Sequence, residues 1–275
     1  METVQRSEKH RVLKANYHTH TWRCHHAGEY PDIEYVEAAV SNGMEILGFS
    51  DHAPWPYRTG FVDKYRMIMS QLPDYIGSIR GLSESFSGQI KIYCGLECEY
   101  FTDYMDHLKA LHDRVDYLIL AYHYLGSNEN REYFFLGEAQ TSEQFDEYAD
   151  GICKAMESGL FTYVAHPDLI LNRYPEFDSR AEKISRQICQ AAHSLNLPLE
   201  FNLYGHYKKD RYNVPGLGYP CFDFWKIAAE TGCTAIIGCD AHMPSLLTNN
   251  AYHEFAKQTL SEAGIPILET IPGLE

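Results

Sequence analysis

The residues best suited to chemistry in this 275-residue chain are histidines and carboxylates that fall where short apolar runs end. His18 and His20 close the run starting at Ala15, His52 follows Glu45–Ser50, and Glu97 follows Ile90–Leu96. His123 follows Tyr117–Ala121, His166 follows Thr162–Ala165, and Asp240 and His242 follow Thr234–Gly238. One histidine beside an apolar run is ordinarily a hydrogen-bonded core residue. Here six of seven such runs end on an imidazole or a carboxylate. If those ends converge, unpaired carboxylates repel and uncompensated imidazoles lose solvation, and bound divalent cations relieve both penalties. The mixed nitrogen and oxygen set suits Zn, Mn or Fe, whereas a Mg or Ca site would be nearly all oxygen.

Spacing sharpens this reading. Residues i and i+2 of a strand point the same way, so His18 and His20 can hold one ion, and Asp240-Ala241-His242 repeats the pattern on the last run. The candidates His18, His20, His26, His52, His123, His166, His242, Glu97 and Asp240 outnumber the roughly four to six positions of a single ion. Several ions bridged by a carboxylate would use them all.

The elements that must carry these residues alternate in period. The seven apolar runs, including Leu199–Asn202, read as strands buried on both faces. Between them lie helical patterns at 32–42, 63–84, 105–114, 142–157, 180–196, 222–231 and 245–263, four of them closed by Gly43, Gly159, Gly232 and Gly264, as left-handed terminators should be. Repeated βα units leave an open doubly wound sheet or a closed barrel, and periodicity does not choose between them. The one irregular connection, Gly126–Gly137, is expected to cross the mouth of the site. No Gly-rich phosphate loop follows any strand, so nucleotide binding of that type has no support.

Composition bounds the rest. Charged residues give 23 Lys+Arg against 38 Asp+Glu, a net charge of −15, which argues against gripping nucleic acid or an anionic membrane. No window approaches the roughly 18 apolar residues of a membrane span, and no apolar leader follows Met1. The eight cysteines are scattered without a CxxC pair and read as free thiols of a cytoplasmic protein.

The motifs Asn16-Tyr-His18-Thr-His20, Cys24-His-His26-Ala, Ser50-Asp51-His52, Gly95-Leu-Glu97, Ala121-Tyr-His123, Ala165-His166-Pro-Asp and Gly238-Cys-Asp240-Ala-His242 resemble, in order and over essentially the full chain, the PHP (polymerase and histidinol phosphatase) superfamily, most closely its histidinol-phosphatase members. That resemblance implies a single-domain α/β fold over 1–275, a distorted TIM-like (β/α)7 barrel holding three divalent transition-metal ions. It implies one ion on His18, His20, Glu97 and Asp240, a second on Glu97, His123 and His166, and a third on His26, His52 and His242, with Glu97 as bridge. Relatives usually read Cys-Gly-His-Ala where this chain has Cys24-His25-His26-Ala27, so His26 is taken as the ligand and His25 as a rim or supporting residue.

The implied reaction is hydrolysis of a small-molecule phosphomonoester, L-histidinol phosphate above all, by a hydroxide that the cations generate near neutral pH. Asp51, Glu97 and Asp240 are the carboxylates given catalytic roles, Asp51 as an orienter of its neighbours or as a proton shuttle. For the phosphate, an arginine fork on a loop after a strand is the natural clamp, which singles out Arg173 and Arg211, with Arg23 third. The rivals are the amidohydrolase superfamily, which places lysine or glutamate where His123 stands, a PHP phosphoesterase acting on nucleotides or phosphotyrosine, and a non-catalytic metal-binding regulator. The sequence leaves the oligomeric state open.

Overall fold

Each of the seven apolar runs contains a strand: β1 (Ala15–Asn16), β2 (Ile46–Phe49), β3 (Lys91–Cys98), β4 (Tyr117–Leu120), β5 (Tyr163–Val164), β6 (Leu199–Asn202) and β7 (Ala235–Gly238). The computed structural model describes residues 13–127, 129, 135–139 and 141–275. Sequence neighbours are spatial neighbours, in the parallel order β1-β2-β3-β4-β5-β6-β7. The choice between sheet and barrel is made just beyond β7. There Thr19 bridges Ala241, the His20 N–H donates to Ala241 O at 3.0 Å and the Ala241 N–H to His18 O at 3.0 Å. The last run meets the first, so the carboxyl ends of the strands surround one mouth.

At the other end β7 pairs with the segment after the last helix through Ala235 and Ile267. Ile271 and Leu274 from that segment join the barrel interior with Tyr17, Tyr117, Ile119, Tyr163 and Ile236. The Tyr17 hydroxyl donates to Leu274 O (2.6 Å), and that of Tyr117 to Tyr17 O (2.7 Å) and Phe49 O (3.0 Å). Gly95 faces the Tyr117 ring, where any Cβ would overlap it. The outer strand faces pack on α1 (Asp32–Ser41), α2 (Leu72–Ser85), α3 (Met105–His112), α4 (Ser142–Met156), α5 (Ser179–Ser194), α6 (Leu203–Tyr212), α7 (Phe222–Thr231) and α8 (Asn250–Glu262) in a second, larger core. The four terminator glycines all have positive φ.

Two helix starts and one whole helix differ from the sequence reading. The helix expected from Asp63 begins at Leu72, with Pro73 in its first turn, because residues 63–68 run instead into the mouth and bury Arg66. The one expected from Ser245 begins at Asn250, where the Asn249 side chain accepts the Tyr252 N–H, after a single 3-10 turn at Pro244–Leu246. Helix α6 was not expected at all. Its sequence, LYGHYKKDRY, carries no apolar stripe, and it starts because Asn202 Oδ1 accepts the Gly205 N–H at 2.9 Å. Of the Gly126–Gly137 connection, residues 128 and 130–134 lie outside the described residues. Among the described residues no helix is long and apolar enough to cross a membrane.

Candidate metal centre

Strand period and barrel closure bring the predicted residues to one point. Glu97, 1% exposed, sits at the centre and touches five imidazoles. Its Oε1 lies 2.9 Å from His166 Nε2, 3.6 Å from His18 Nε2 and 3.7 Å from His123 Nε2. Its Oε2 lies 2.7 Å from His52 Nδ1 and 3.6 Å from His20 Nε2. Asp240 Oδ1 stands 2.9 Å from His20 Nε2, 3.5 Å from His18 Nε2 and 3.2 Å from His242 Nδ1. Both His166 (φ 29°) and Asp240 (φ 45°) hold left-handed backbone at their strand ends, a strain that non-glycine residues bear chiefly at functional sites.

Behind this ring five of the seven imidazoles have an orienting partner; among the described residues His52 Nδ1 instead faces Glu97, and His166 Nδ1 has none. His18 Nδ1 donates to Glu200 (2.7 Å), His123 Nδ1 to Glu99 (2.7 Å), His26 Nδ1 to Cys24 O (2.9 Å) and His242 Nδ1 to Asp240 O (2.9 Å). His20 Nδ1 faces Asp51 at 3.4 Å. Each of these bonds places the ring proton outward and leaves the Nε2 lone pair for the interior, the usual arrangement around a bound metal. Asp51 is wholly buried behind His20, bonded to the Thr21 N–H and hydroxyl and to the His52 N–H. It does not line the cavity and instead meets His20 and the His52 N–H from behind.

The electrostatics follow from this packing. Burial alone would depress His18, but Glu200, Asp240 and Glu97 outweigh it and raise the ring to about 10. Burial would likewise push Glu97 up, yet His52, His18 and the His166 bond hold it well below the usual carboxylate range. His26 goes the other way, lowered to about 3 by burial and then by His242 and His20, so its ring is neutral and free to ligate. Among the described residues, Glu97 Oε2, Asp240 Oδ1 and His52 Nδ1 are buried and make no well-angled hydrogen bond, although His52 Nδ1 approaches Glu97 Oε2 to 2.7 Å and Asp240 Oδ1 lies 2.9 Å from His20 Nε2. A divalent cation is what would satisfy such atoms, and the donor set fits one. One compact group, Glu97, His123 and His166, is an expected set, and another, His18, His20 and Asp240, is the first expected set without Glu97. The third expected set is looser. His26 has ring centroids 4.8 Å from His242 and 5.1 Å from His52, while the compact group containing His52 joins it to His20 and Glu97.

A cavity of about 430 Å³ opens above the cluster. Its further walls are aromatic, from Tyr65, Tyr124, Phe135, Tyr204 and Tyr219, and charged, from Arg66, Lys208 and Glu138. Tyr124, Phe135 and Glu138 show that the β4–α4 connection does border the mouth. His26 lines this cavity, whereas His25 is exposed and borders a separate groove with Trp22 and Tyr30, so it is neither rim nor support of the centre.

The arginine expectations need correction. Arg23 is buried away from the cavity, its guanidinium held by Asp32 (2.9 Å) and Asp74 (2.8 Å). Arg211 is exposed in the last turn of α6 and does not line the cavity. Arg173 is also exposed and outside the lining, but close enough for its charge to act on Lys208. The cations that line the cavity among the described residues are Arg66, which buried carboxylates hold, and Lys208, whose Nζ lies over the rings of Tyr204 (4.6 Å) and Tyr219 (5.0 Å). Sequence reading missed Lys208 because it rides on the unexpected α6. It also missed the orienters Glu200 and Glu99. A glutamate inside the apolar run Leu199–Asn202, and one two residues beyond Glu97, were the available signals.

A parallel barrel with a histidine and carboxylate site for divalent metal at its carboxyl mouth is the class these observations define. The chain belongs to the PHP domain family, whose model matches residues 16–203. It is 31% identical over 241 residues to a Deinococcus radiodurans protein named "Probable histidinol-phosphatase", covering 82% of this chain and 85% of that one. It is 31% identical over 128 residues to the histidinol-phosphatase of Bacillus subtilis strain 168, 43% of this chain and 47% of that one. The fold is shared with the HisK crystal structure from Listeria monocytogenes (TM-score 0.72, 21% identity, 88% of this chain and 100% of that one). It is shared too with Lactococcus lactis histidinol phosphate phosphatase, solved with zinc, L-histidinol and phosphate (TM-score 0.69, 20% identity, 96% and 99%).

Proposed function

We propose that this protein is a metal-dependent phosphomonoesterase of histidinol-phosphatase type, converting L-histidinol phosphate and water to L-histidinol and phosphate. The observation that carries the reading is Glu97, whose two oxygens face two different groups of metal-competent histidines at the floor of the cavity. In this reading three divalent ions are held: by His18, His20, Glu97 and Asp240; by Glu97, His123 and His166; and by His26, His52 and His242. When bound, such ions acidify water and take up the charge that develops on a transferring phosphoryl group.

The chain's own residues do the rest. Glu200, Asp51 and Glu99 hold His18, His20 and His123 in the ligating tautomer. Lys208, with the charge of Arg173 beside it, binds the phosphate oxygens that point away from the floor. Tyr65, Tyr124 and Phe135 pack on the organic part of the ester, and Glu138 stands at the same wall to pair with a cationic group such as the histidinol amine. A wall of this kind, aromatic with one carboxylate, suits a small cationic heteroaromatic ester. The test is a panel of phosphomonoesters assayed with Mn or Zn. L-histidinol phosphate is expected to show a much higher kcat/KM than nucleotides, phosphotyrosine or aryl phosphates, and comparable efficiency on a nucleotide would overturn the substrate assignment.

A further inference from the structure

Among the described residues Arg66 is the guanidinium that borders the cavity, and it is 2% exposed. Its Nε donates to Asp63 at 3.0 Å and its NH2 to Glu99 Oε1 at 2.6 Å, while NH1 is buried with no partner. Glu99 in turn accepts the His123 backbone N–H through Oε2 (2.9 Å) and the His123 ring through Oε1 (2.7 Å). A buried guanidinium with one amino group unsatisfied is a poor stabiliser, since apolar residues of similar volume commonly do as well. What the guanidinium adds beyond packing is the position it imposes on Glu99.

Glu99 meets His123 with both oxygens, and that requires its carboxylate plane to be fixed. Arg66 fixes it from the far side while Asp63 fixes Arg66. Arg66 and Asp63 belong to the 63–68 segment, which is not helical and runs past the cavity. It brings Tyr65 over the cavity, with its ring centroid 5.7 Å from that of His26.

We propose that Arg66 is a positioning residue for the metal ligand His123, acting through Glu99, so that the β2–α2 loop and the Glu97, His123, His166 site are held by one contact. This rests on the metal reading above, and concerns which residue outside the ligand set keeps one ion in place. Its effect should appear on metal retention and kcat more than on KM, because Arg66 grips a ligand's partner and not the substrate.

The experiment uses the Mn-loaded enzyme, wild type and the variants Arg66→Met and Arg66→Lys. The protein is challenged with increasing chelator, the ions retained are counted by elemental analysis, and kcat and KM are measured with 4-nitrophenyl phosphate. Arg66→Met is expected to lose one ion at about tenfold lower chelator and to fall about tenfold in kcat, with KM little changed, as for the loss of other residues that orient ligands. Arg66→Lys, which keeps the charge but not the fork, should fall between. If Arg66→Met does not fold, Arg66→Lys decides by the same measurements. Wild-type ion retention and kcat in the Lys variant would overturn the proposal, as would a raised KM with every ion retained, which would make Arg66 a substrate contact. A wild-type enzyme that holds no more than a single ion overturns the metal reading itself.

Discussion

Glu97 is the residue on which most depends, because its single negative charge faces imidazoles from β1, β2, β4 and β5 ends at once. Glu97→Gln keeps the shape but removes the charge that would hold two cations together. Turnover is expected to fall by orders of magnitude and metal content to drop, while circular dichroism stays close to wild type. A Gln variant with full metal content and near wild-type turnover would refute the bridging role. For the phosphate, Lys208 replaces the arginines that sequence position favoured. Burial lowers its pKa against the pull of Asp240 and Glu97, so its charge stands in a partly dry cavity where it counts for more. Lys208→Ala should reduce kcat/KM at least about tenfold, equivalent to about 1.4 kcal/mol, with metal content unchanged. Arg23→Ala should act on stability through Asp32 and Asp74, and Arg211→Ala should leave kinetics as they were.

Elements matter here through the way β6 hands over to α6. Asn202 caps the helix with Oδ1 and, through Nδ2, donates to Glu200 (2.8 Å) and Asp240 (3.1 Å), so the helix that carries Lys208 starts from the metal site itself. The segment after α6 is pinned from the other side. Asp168, two residues past His166, accepts the Cys221 N–H at 2.6 Å and so holds Tyr219 against the cavity. Burial raises the Asp168 pKa to about 7. Its folded-state pKa therefore lies above the unfolded one, and the folded protein binds the extra proton between the two. The resulting destabilisation is absent at pH below the ordinary aspartate value and complete above about 7. Asp168→Asn retains an acceptor for Cys221 but no charge, so its gain in Tm over wild type should be larger at about pH 8 than at about pH 5. An equal difference at both values would show that Asp168 is not the buried acid described.

At the scale of the whole molecule the barrel concentrates negative charge that its histidines only partly offset. Glu97, Asp240, Glu200, Glu99 and Asp51 are all buried around one mouth. Removing divalent metal should therefore lower Tm and make unfolding depend on added metal, by about 2.7 kcal/mol at a free concentration a hundred times Kd. Calorimetry with chelator and then with Mn or Zn checks this, and an unchanged Tm would count against a metal centre. Because the carboxylates raise His18, His20 and His166, metal must displace protons from these rings, so ions should be stripped more easily at acid than at alkaline pH.

Much of this was written in local pattern. The seven apolar runs, the four glycine terminators and the nine ligand candidates could be read directly, because strand burial, left-handed backbone and metal affinity each depend on residue type and short spacing. The choice of His26 over His25 came from the register of the family motif. What local pattern could not carry was any choice that depends on residues far apart in the chain. The Thr19–Ala241 bridge closes the barrel, Glu200 reaches His18 across 182 positions, and Arg66 reaches Glu99 across 33. Helix α6 forms against its composition because Asn202 is held by the site, and with it Lys208 becomes a cation of the cavity in place of Arg211. Residue type settles which atoms can bind a metal or a phosphate, but only the folded chain decides which charges are buried together, and burial is what makes those charges act on one another.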